Sequence, residues 1–431
     1  MKSNFKRLGD YIEPVDEFNT GWKIELLLGI SNNKHFQKSQ TNTIGVDLSK
    51  YRVVRTNQFA FNRATTRNGE KISISLRNGP DCIVSPSYRI FRSKDENELN
   101  SEYLMMWFRR PEFDRYARFR SHGSAHEFFD IDEMYEVRLP IPTIEEQRRI
   151  VAEYHTIQNR ITLNNQLIQT LETTAQAIYK QWFVEFEFPN EAGQPYKSSG
   201  GEMVESELGE IPKGWRLGSI GAVLETKGYI RGPFGSALKV EDMRPSGIPV
   251  YEQQHAIDGH RNFRYYVDSD KFSQLKRFAV KPNDLVISCS GTLGRITRIN
   301  EADKVGIINQ ALLILRVDPS KCSLSIFELF LRSKKGNDLL IAESGGSAQV
   351  NIAKREDIVK KPFLIAAARE QKMLATVLDK TSTHSDSLKR EIIALQKAKN
   401  LLLSKLATIE TALAAPKPAA TKPAQLTLSF S

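Results

Sequence analysis

Two glycine-rich loops carry the side chains best suited to binding a polyanion. Residues 227–239 and residues 288–295 both mix glycine with hydroxyl-bearing and basic side chains. Glycine lets the backbone approach a phosphate closely, while arginine, serine and threonine can reach the edges of nucleic-acid bases. The chemistry that these residues could perform is therefore recognition. For either loop alone, the simpler interpretation is an ordinary tight turn between two strands.

Residues that could catalyse a reaction on DNA do not occur in recognisable arrangements. The sequence contains no Gly-x-x-x-x-Gly-Lys-Ser/Thr loop for ATP and no Asn-Pro-Pro-aromatic or Asp-Pro-Pro-aromatic run of the amino-methyltransferases. His122 and His126 are four residues apart, but no carboxylate pattern beside them supports a metal site. The sequence therefore predicts a reader and scaffold that has no catalytic residue, metal or cofactor of its own.

The composition is that of a globular protein with a basic surface. The chain has 431 residues and a formal net charge of +10, with 40% hydrophobic and 26% charged residues. A basic surface attracts polyanions. The sequence has no apolar run of about 18 residues and no signal peptide at its start, which predicts a cytoplasmic protein. Three cysteines, none in a close pair, are interpreted as small buried hydrophobic residues: Cys82, Cys289 and Cys322.

The sequence repeats itself at long range. The pair Glu146-Gln147 recurs as Glu370-Gln371, at an offset of 224 residues, and a long helical pattern follows each copy. Three further matches have offsets of 223, 226 and 209: 123–126 with 346–349, 57–62 with 283–288, and 7–9 with 216–218. Because each copy is long enough to bury its own core, the repeat indicates duplication of one globular module.

Each copy ends in a long helix with one apolar stripe. From Ile150 the apolar positions alternate at spacings of four and three, which predicts a coiled-coil seam. The second copy continues the same phase, although Thr381, Ser385 and Lys399 interrupt it. The seam residues are Ile150, Ile157, Ile161, Asn164, Ile168, Leu171, Leu374, Leu378, Leu388, Ile392 and Leu395. Each helix should be roughly 60 Å long at about 1.5 Å per residue.

These patterns predict an α+β fold in which two similar strand-rich globular modules are separated by two long helices packed as an antiparallel coiled coil. The alternative is that each helix packs back onto its own module. The predicted segments are a first module, a central helix, a linker with the second module, a second helix and a flexible tail: 1–142, 143–187, 188–362, 363–413 and 414–431.

The order and duplication of several motifs resemble the specificity subunits of type I restriction-modification systems, over nearly the whole chain. The Pro-x-x-x-Glu-Gln-x-x-Ile block at 142–150, with its second copy around 370–371, carries the resemblance. Five further motifs belong to it: 346–352, 232–238, 211–215, 65–72 and 84–88. In this family each module is a target recognition domain that reads one half of a split site in double-stranded DNA.

The resemblance also implies partners. The paired helices would set the spacing between the two halves of the DNA site and dock two modification subunits, which bind S-adenosylmethionine and methylate adenine. Restriction subunits with motor and nuclease activity would join them, so ATP and Mg²⁺ would also bind to partners. The first copy lacks the Gln-x-Asn of residues 349–351, which suggests that the two modules read different sequences.

Twelve residues are hypothesised to contact DNA. They are Arg63, Arg67, Lys71, Ser85, Tyr88 and Arg118 in the first module, and Arg231, Ser236, Lys239, Thr292, Arg295 and Gln349 in the second. Glu112 and Asp114 could instead neutralise part of the arginine-rich stretch 109–120. The alternative function is a non-catalytic helical adaptor that bridges proteins without DNA specificity, with exposed apolar seams as its signature.

Overall fold

The computed structural model describes residues 5–39, 45–64, 71–122, 127–207, 209–342, 351–352 and 354–408. The chain divides into two compact units. The first unit consists of Met1–Asn164 with Arg390–Ser431, and the second unit consists of Asn165–Lys389. Both units combine helices and strands, and the two long helices are present, which confirms the predicted fold class.

The first unit contains ten strands and three short helices among its described residues, followed by the long helix α4. The strands are β1 (Phe5–Arg7), β2 (Ile12–Val15), β3 (Leu28–Ile30), β4 (Phe36–Lys38), β5 (Arg52–Val54), β6 (Phe59–Asn62), β7 (Ile74–Leu76), β8 (Cys82–Val84), β9 (Tyr88–Ser93) and β10 (Arg138–Pro140). The helices are α1 (Ser101–Phe108), α2 (Pro111–Phe119), α3 (Ile131–Tyr135) and α4 (Ile144–Phe183), whose last turns belong to the second unit.

The second unit repeats this order with more elements. Its strands are β11 (Met203–Val204), β12 (Ile211–Pro212), β13 (Arg216–Ser219), β14 (Leu224–Arg231), β15 (Ile248–Tyr251), β16 (Tyr266–Val267), β17 (Leu285–Ser288), β18 (Ile296–Arg298), β19 (Ile307–Ile308), β20 (Leu312–Val317), β21 (Ile341–Ala342), β22 (Asn351–Ile352) and β23 (Pro362–Ile365). Its helices are α5 (Ile220–Val223), α6 (Gln253–Asp258), α7 (Ser269–Gln274), α8 (Leu324–Arg332), α9 (Lys334–Leu340), α10 (Arg355–Lys360) and α11 (Ala368–Lys405), whose residues from Arg390 onward belong to the first unit.

The same four-stranded antiparallel sheet forms the centre of each unit. Its strand order is β2-β9-β6-β7 in the first unit and β14-β20-β17-β18 in the second. Asn57 and Asn283 precede the corresponding strands β6 and β17 with φ angles of 64° and 71°. Asparagine tolerates this left-handed conformation better than most residues. The predicted match between 57–62 and 283–288 is therefore a true structural equivalence.

The predicted match at the front of the two copies is wrong by three residues. Strand β1 pairs Arg7 with Arg138, whereas β13 pairs Ser219 with Pro362. Since Arg138 and Pro362 are equivalent at the offset of 224, Arg7 corresponds to Ser219 and the frontal offset is 212 rather than 209. Side chains alternate between faces along a strand, so a shift of three residues would have placed each side chain on the opposite face.

The two units differ in the additional strands that lie beside the central sheet. The first unit carries two separate antiparallel pairs, β3-β4 and β5-β8. The second unit has a three-stranded sheet, β16-β15-β19, in which β15 and β19 are parallel. The central sheet and the equivalent pairs β1-β10 and β13-β23 are thus common to both units, whereas these additional strands are specific to each unit.

In the first unit, the early part of α4 packs with the late part of α11. Ile150 and Tyr154 join Leu403 and Leu406 in the same hydrophobic core as the central sheet. The Lys399 ammonium lies 6.0 Å from the Tyr154 ring, and Arg160 donates to Glu391 at 2.8 Å. Because the numbering rises on one helix while it falls on the other, these two segments are antiparallel.

In the second unit, the late part of α4 and the early part of α11 share one core. Ala175, Tyr179 and Trp182 from α4 are buried with Leu374 and Leu378 from α11. The residues after α4 continue this core through an aromatic stack, in which the Phe188 ring lies 4.5 Å from Tyr196 and 5.0 Å from Trp215. Residues after α4 that were predicted to form a linker are thus packed within the second unit.

Candidate nucleic-acid interface

The glutamine of the repeated Glu-Gln pair anchors each unit to its long helix. Gln147 is fully buried. Its Nε2 donates to the carbonyls of Glu98 and Pro142, and its Oε1 accepts from the backbone N–H of Asn100, each at 2.9 Å. Asn100 is the N-cap of α1, so one side chain connects α4, α1 and the strand-to-helix turn.

Gln371 has the same role in the second unit. Its Oε1 accepts from the Ser323 N–H at 3.2 Å, and its Nε2 donates to the Ala366 carbonyl at 2.9 Å. Ser323 is the N-cap of α8 and therefore corresponds to Asn100. The glutamine of the motif therefore has a structural role in both units, where it positions the long helix against the N-terminus of a shorter one.

The loop between β17 and β18 presents Thr292 and Arg295 to solvent. Buried Ser288 holds the loop closed, because its Oγ donates to the Thr292 carbonyl at 2.6 Å and accepts from the Arg295 N–H at 3.0 Å. Gly291 and Gly294 have φ angles of 54° and 68°, which glycine adopts without steric cost. The loop is a tight hairpin turn, and it also displays a hydroxyl and a guanidinium outward.

Two side chains from helices hold this hairpin from either side. Gln253 of α6 donates to the Ser290 carbonyl, and Asn337 of α9 donates to the Gly294 carbonyl at 3.1 Å. A methyl group in place of the Gly294 hydrogen would lie 2.6 Å from the Asn337 amide nitrogen. The display of Thr292 and Arg295 is therefore preorganised. Local sequence could not reveal these anchors, because each lies more than 35 residues from the carbonyl it binds.

The loop after β14 carries the other predicted residues of the second unit. Arg231 is half-buried at the end of the strand, while Ser236 and Lys239 are exposed. Gly232 packs against the neighbouring backbone, since an added Cβ would lie 1.9 Å from the Asn309 carbonyl oxygen. This close approach fixes the start of the loop, so its two cationic side chains flank a rigid turn. Gln349 lies outside the described residues.

In the first unit the equivalent of the Thr292 hairpin is the connection from β6 to β7. Arg63 and Lys71 lie at its two ends, and Arg67 falls outside the described residues. Lys71 is exposed. Arg63 donates to Asp130 at 3.2 Å, and its guanidinium lies 4.7 Å from the Phe128 ring. Sequence position alone had not distinguished this internally bound arginine from the exposed lysine.

The remaining first-unit candidates also have contacts within the protein. Arg118 forms an ion pair with Glu127, and the Tyr88 hydroxyl accepts a hydrogen bond from the Ile30 N–H at 3.2 Å. Ser85 lies 3.2 Å from the Ser87 hydroxyl in the turn between β8 and β9. Direct base contact by these three residues stays a prediction, and any such contact has to compete with the internal partner.

The two acidic residues of the arginine-rich stretch are both engaged. Glu112 pairs with Arg115 at 3.2 Å, and Asp114 pairs with Lys34 at 2.8 Å. Lys34 is buried, and burial lowers the pKa of its ammonium group although Asp114 acts in the opposite direction. Glu112 thus neutralises part of the positive charge of the stretch 109–120, as the alternative interpretation expected, whereas Asp114 pairs with a lysine outside it.

The seam residues lie buried or half-buried along both long helices. Within the first unit these are Ile150, Ile157, Ile161, Asn164, Ile392 and Leu395, and within the second unit Ile168, Leu171, Leu374, Leu378 and Leu388. Large apolar side chains also remain on the outer surface of the first unit's helical segments: Leu163, Ile393 and Leu401, exposed by 54%, 55% and 56%.

All three cysteines are buried and free, as the sequence indicated. Burial raises the pKa of Cys82 to about 11 and the pKa values of Cys289 and Cys322 to about 12. Across the described part of the chain, no group of three or more His, Cys, Asp or Glu side chains is arranged to hold a metal ion. Among the same residues, no helix combines the length and apolar character needed to cross a bilayer.

Comparisons with known proteins agree with one another. Residues 30–173 match the family model of the type I restriction modification DNA specificity domain. The MjaIX specificity subunit of a type I restriction enzyme from Methanocaldococcus jannaschii is 28% identical over 159 residues, or 37% of this chain and 34% of that protein. The HindI specificity subunit from Haemophilus influenzae is 24% identical over 181 residues, or 42% of this chain and 39% of that protein. The matches therefore span between one third and two fifths of these relatives.

A solved structure extends the likeness to the whole fold. The S subunit of a type I restriction-modification system from M. genitalium has a TM-score of 0.56 and 14% sequence identity. The match covers 94% of this chain and 96% of that chain. At this level of sequence identity the match shows similarity of fold alone.

Proposed function

We infer that this chain, which belongs to the family of type I restriction-modification specificity subunits, binds a bipartite site in double-stranded DNA and directs the chemistry of its partner subunits. The observation that carries the proposal is the duplicated unit. The same sheet order recurs in both units, and a glutamine, Gln147 or Gln371, anchors each unit to a long helix. A protein with two such readers is suited to a site with two separate halves.

Within each unit we assign DNA reading to the variable loops around the shared sheet. In the second unit, Arg231 and Lys239 supply positive charge beside the duplex, and the rigid hairpin offers Thr292 and Arg295 to base edges. Basic side chains release counterions from DNA phosphates, which makes the affinity depend on salt. Hydroxyl and guanidinium groups can distinguish base pairs in the major groove. Because the surrounding strands differ, the two units would read different half-sites.

We assign the docking of two modification subunits and of the restriction subunits to the long helices. Leu163, Ile393 and Leu401 are large apolar side chains that remain exposed on the helical segments of the first unit. Exposed apolar surface of this kind is suited to a protein partner. Adenine methylation, together with the S-adenosylmethionine, ATP and Mg²⁺ that the complex requires, would then belong to the partners. This chain would be non-catalytic. The adaptor alternative required exposed apolar seams, and the burial of the seam residues gives it no support.

DNA binding by the full chain, assembled with its modification subunits, tests the reading function. A pool of host genomic fragments serves as the probe, and binding is measured over a series of salt concentrations. We expect Arg295→Ala to reduce discrimination among fragments. Lys239→Ala should weaken binding to all fragments and reduce the slope of log affinity against log salt by about one. Lys380→Ala, an exposed lysine on α11, is the matched control and should change neither. A wild-type complex that binds all fragments equally would contradict the proposal.

Recovery of partners tests the docking function separately. Leu401→Ser should lower the amount of methyltransferase subunit that co-purifies with the chain, because it replaces an exposed apolar contact by a polar one. Val305→Ser, an equally exposed apolar position in the second unit, serves as the control. Equal recovery with both variants would remove Leu401 from the docking surface.

A further inference from the structure

Two loops in equivalent positions expose aromatic side chains: Phe18 and Trp22 in the first unit, exposed by 43% and 55%, and Phe234 in the second. Strand β2 pairs Val15 with Ile90, and strand β14 pairs Ile230 with Ile314. Since Ile90 and Ile314 correspond at the offset of 224, the loops that follow these two edge strands are structurally equivalent. Their sequences share no motif, so the equivalence becomes visible only through the strand register.

In the loop of the first unit, Trp22 is exposed and has an unfavourable backbone conformation. Trp22 is 55% exposed and has a φ angle of 55°, a left-handed conformation that is unfavourable for a bulky side chain. Buried Asn19 stabilises this turn: its side chain donates to the Ile24 carbonyl at 2.9 Å and accepts from the Ile24 N–H at 3.0 Å. Strain that the surrounding structure maintains is a property of functional sites.

The loop of the second unit holds Phe234 outward by a different construction. Phe234 is 66% exposed. Gly232 fixes the start of the loop by donating to the Leu312 carbonyl at 3.0 Å, and Gly235 turns the chain with a φ angle of 60°. The Arg231 guanidinium lies 5.9 Å from the Phe234 ring, and Lys239 is exposed five residues further along. In the sequence of this loop, the exposed ring thus lies between two cationic residues, one of which is close to it in space.

Exposure of a single apolar side chain is common and needs no explanation. Here, however, two unrelated loop sequences place an exposed aromatic ring after the same edge strand of the same sheet. In the first unit a cation also lies beside an aromatic ring of this loop, since the Arg52 guanidinium is 5.1 Å from Phe18. Flat apolar rings beside cations match a duplex, whose charged backbone borders stacked bases. Proteins that insert phenylalanine or another apolar wedge between base steps use this combination.

We propose that Phe234 and Trp22 are DNA-contacting residues that act as apolar wedges, each packing against a base step of the half-site bound by its own unit. This assignment rests on the proposed DNA-reading function and adds residues to it. The wedge partly unstacks one step, so each unit also reads how easily its half-site deforms. Flexible pyrimidine–purine steps would be preferred at the two positions.

Phe234 can be tested with the full chain assembled with its modification subunits. The probe is a duplex selected by the wild-type complex that carries 2-aminopurine at successive positions, because the fluorescence of this base rises when it is unstacked. We expect Phe234→Ala to weaken binding roughly tenfold and to abolish the fluorescence rise at one position, whereas Phe234→Tyr retains both. Val184→Ala removes an apolar side chain of similar exposure, 61%, and should behave as the wild type.

The possible outcomes distinguish failure of the DNA-reading function from failure of the wedge assignment alone. If the wild-type complex selects no duplex, the DNA-reading function fails and the wedge fails with it. If the wild type binds and Phe234→Ala matches it in both affinity and fluorescence, only the wedge assignment is overturned. Unchanged melting temperatures of the variants establish that a loss of binding does not reflect unfolding.

Trp22 permits an independent test by quenching. Of the four tryptophans only Trp22 is exposed, since Trp107, Trp182 and Trp215 are each at most 8% exposed. Acrylamide should therefore quench one class of tryptophan emission in the free chain. In the complex, the partner subunits carry non-fluorescent 4-fluorotryptophan, so that only this chain emits. Saturating DNA should then protect the Trp22 emission from acrylamide. Trp22→Phe, which keeps an aromatic ring, should remove the quenchable class without loss of affinity. Quenching of the wild type that DNA leaves unchanged would overturn the assignment of Trp22.

Discussion

The buried glutamine of the repeated motif offers a quantitative test of how each unit is attached to its helix. Replacing Gln147 by methionine keeps the volume of the side chain but removes three hydrogen bonds. The Asn100 N–H and the carbonyls of Glu98 and Pro142 then lose their partners inside the protein. An unsatisfied buried polar group costs about 1–3 kcal/mol, so we expect a total of about 3 kcal/mol. Gln371→Met removes two hydrogen bonds and should cost about 2 kcal/mol.

Hydrogen exchange followed by mass spectrometry measures this cost locally. If opening of the α1 N-terminus limits exchange of the Asn100 N–H, a loss of 3 kcal/mol accelerates it roughly 150-fold. Peptides from the second unit should exchange as in the wild type. Gln166→Met, on the exposed face of the same helix, is the control. Equal exchange at Asn100 in Gln147→Met and wild type would refute the idea that this side chain holds the helix to its unit.

Three further predictions concern buried polar groups. Lys34→Met should destabilise the first unit by about 3 kcal/mol in a denaturant titration because it removes the cation beside the half-buried Asp114 carboxylate, and Lys34→Met with Asp114→Leu should restore part of that stability. Burial alone would raise the pKa of the Asp130 carboxyl, but hydrogen bonds from the Ile131 N–H, Arg89 and Arg63 outweigh burial and lower it. The ionised carboxylate therefore stabilises the first unit above about pH 4, and this stabilisation is lost as the pH falls below that value. The loss of stability caused by Asp130→Asn should accordingly shrink in acid. Asn164→Leu should raise the melting temperature because the side chain is buried in the apolar seam, and a lower melting temperature would indicate that the amide has a favourable partner there.

The long helices and the duplication could be predicted because both depend on regular spacing. The four-and-three spacing from Ile150 extends along α4, and the structure places the helix at Ile144–Phe183, inside the predicted range 143–187. The second helix begins at Ala368 because Pro362–Ile365 forms strand β23. A periodic apolar pattern indicates a helix well, but it leaves the exact terminal residues to capping and strand pairing.

The front of the repeat and the partners of the arginines could not be predicted, because both depend on contacts distant in sequence. The three-residue match at 7–9 was a chance similarity, and only the pairing of β1 with β10 and β13 with β23 revealed the true offset. Arg63 is bound to Asp130, 67 residues away. Local sequence marks an arginine as a candidate for DNA binding, whereas the tertiary structure decides whether its charge is already engaged.

The pattern of adenine methylation in the host genome tests the central claim most directly. Methylation should be sequenced with the chain present, with the chain deleted, and with the Arg295→Ala variant in its place. We predict a methylated motif of two parts separated by a gap, which disappears on deletion and becomes degenerate in one part only with Arg295→Ala. An identical methylation pattern in all three strains would contradict the conclusion that this chain reads DNA for a methyltransferase.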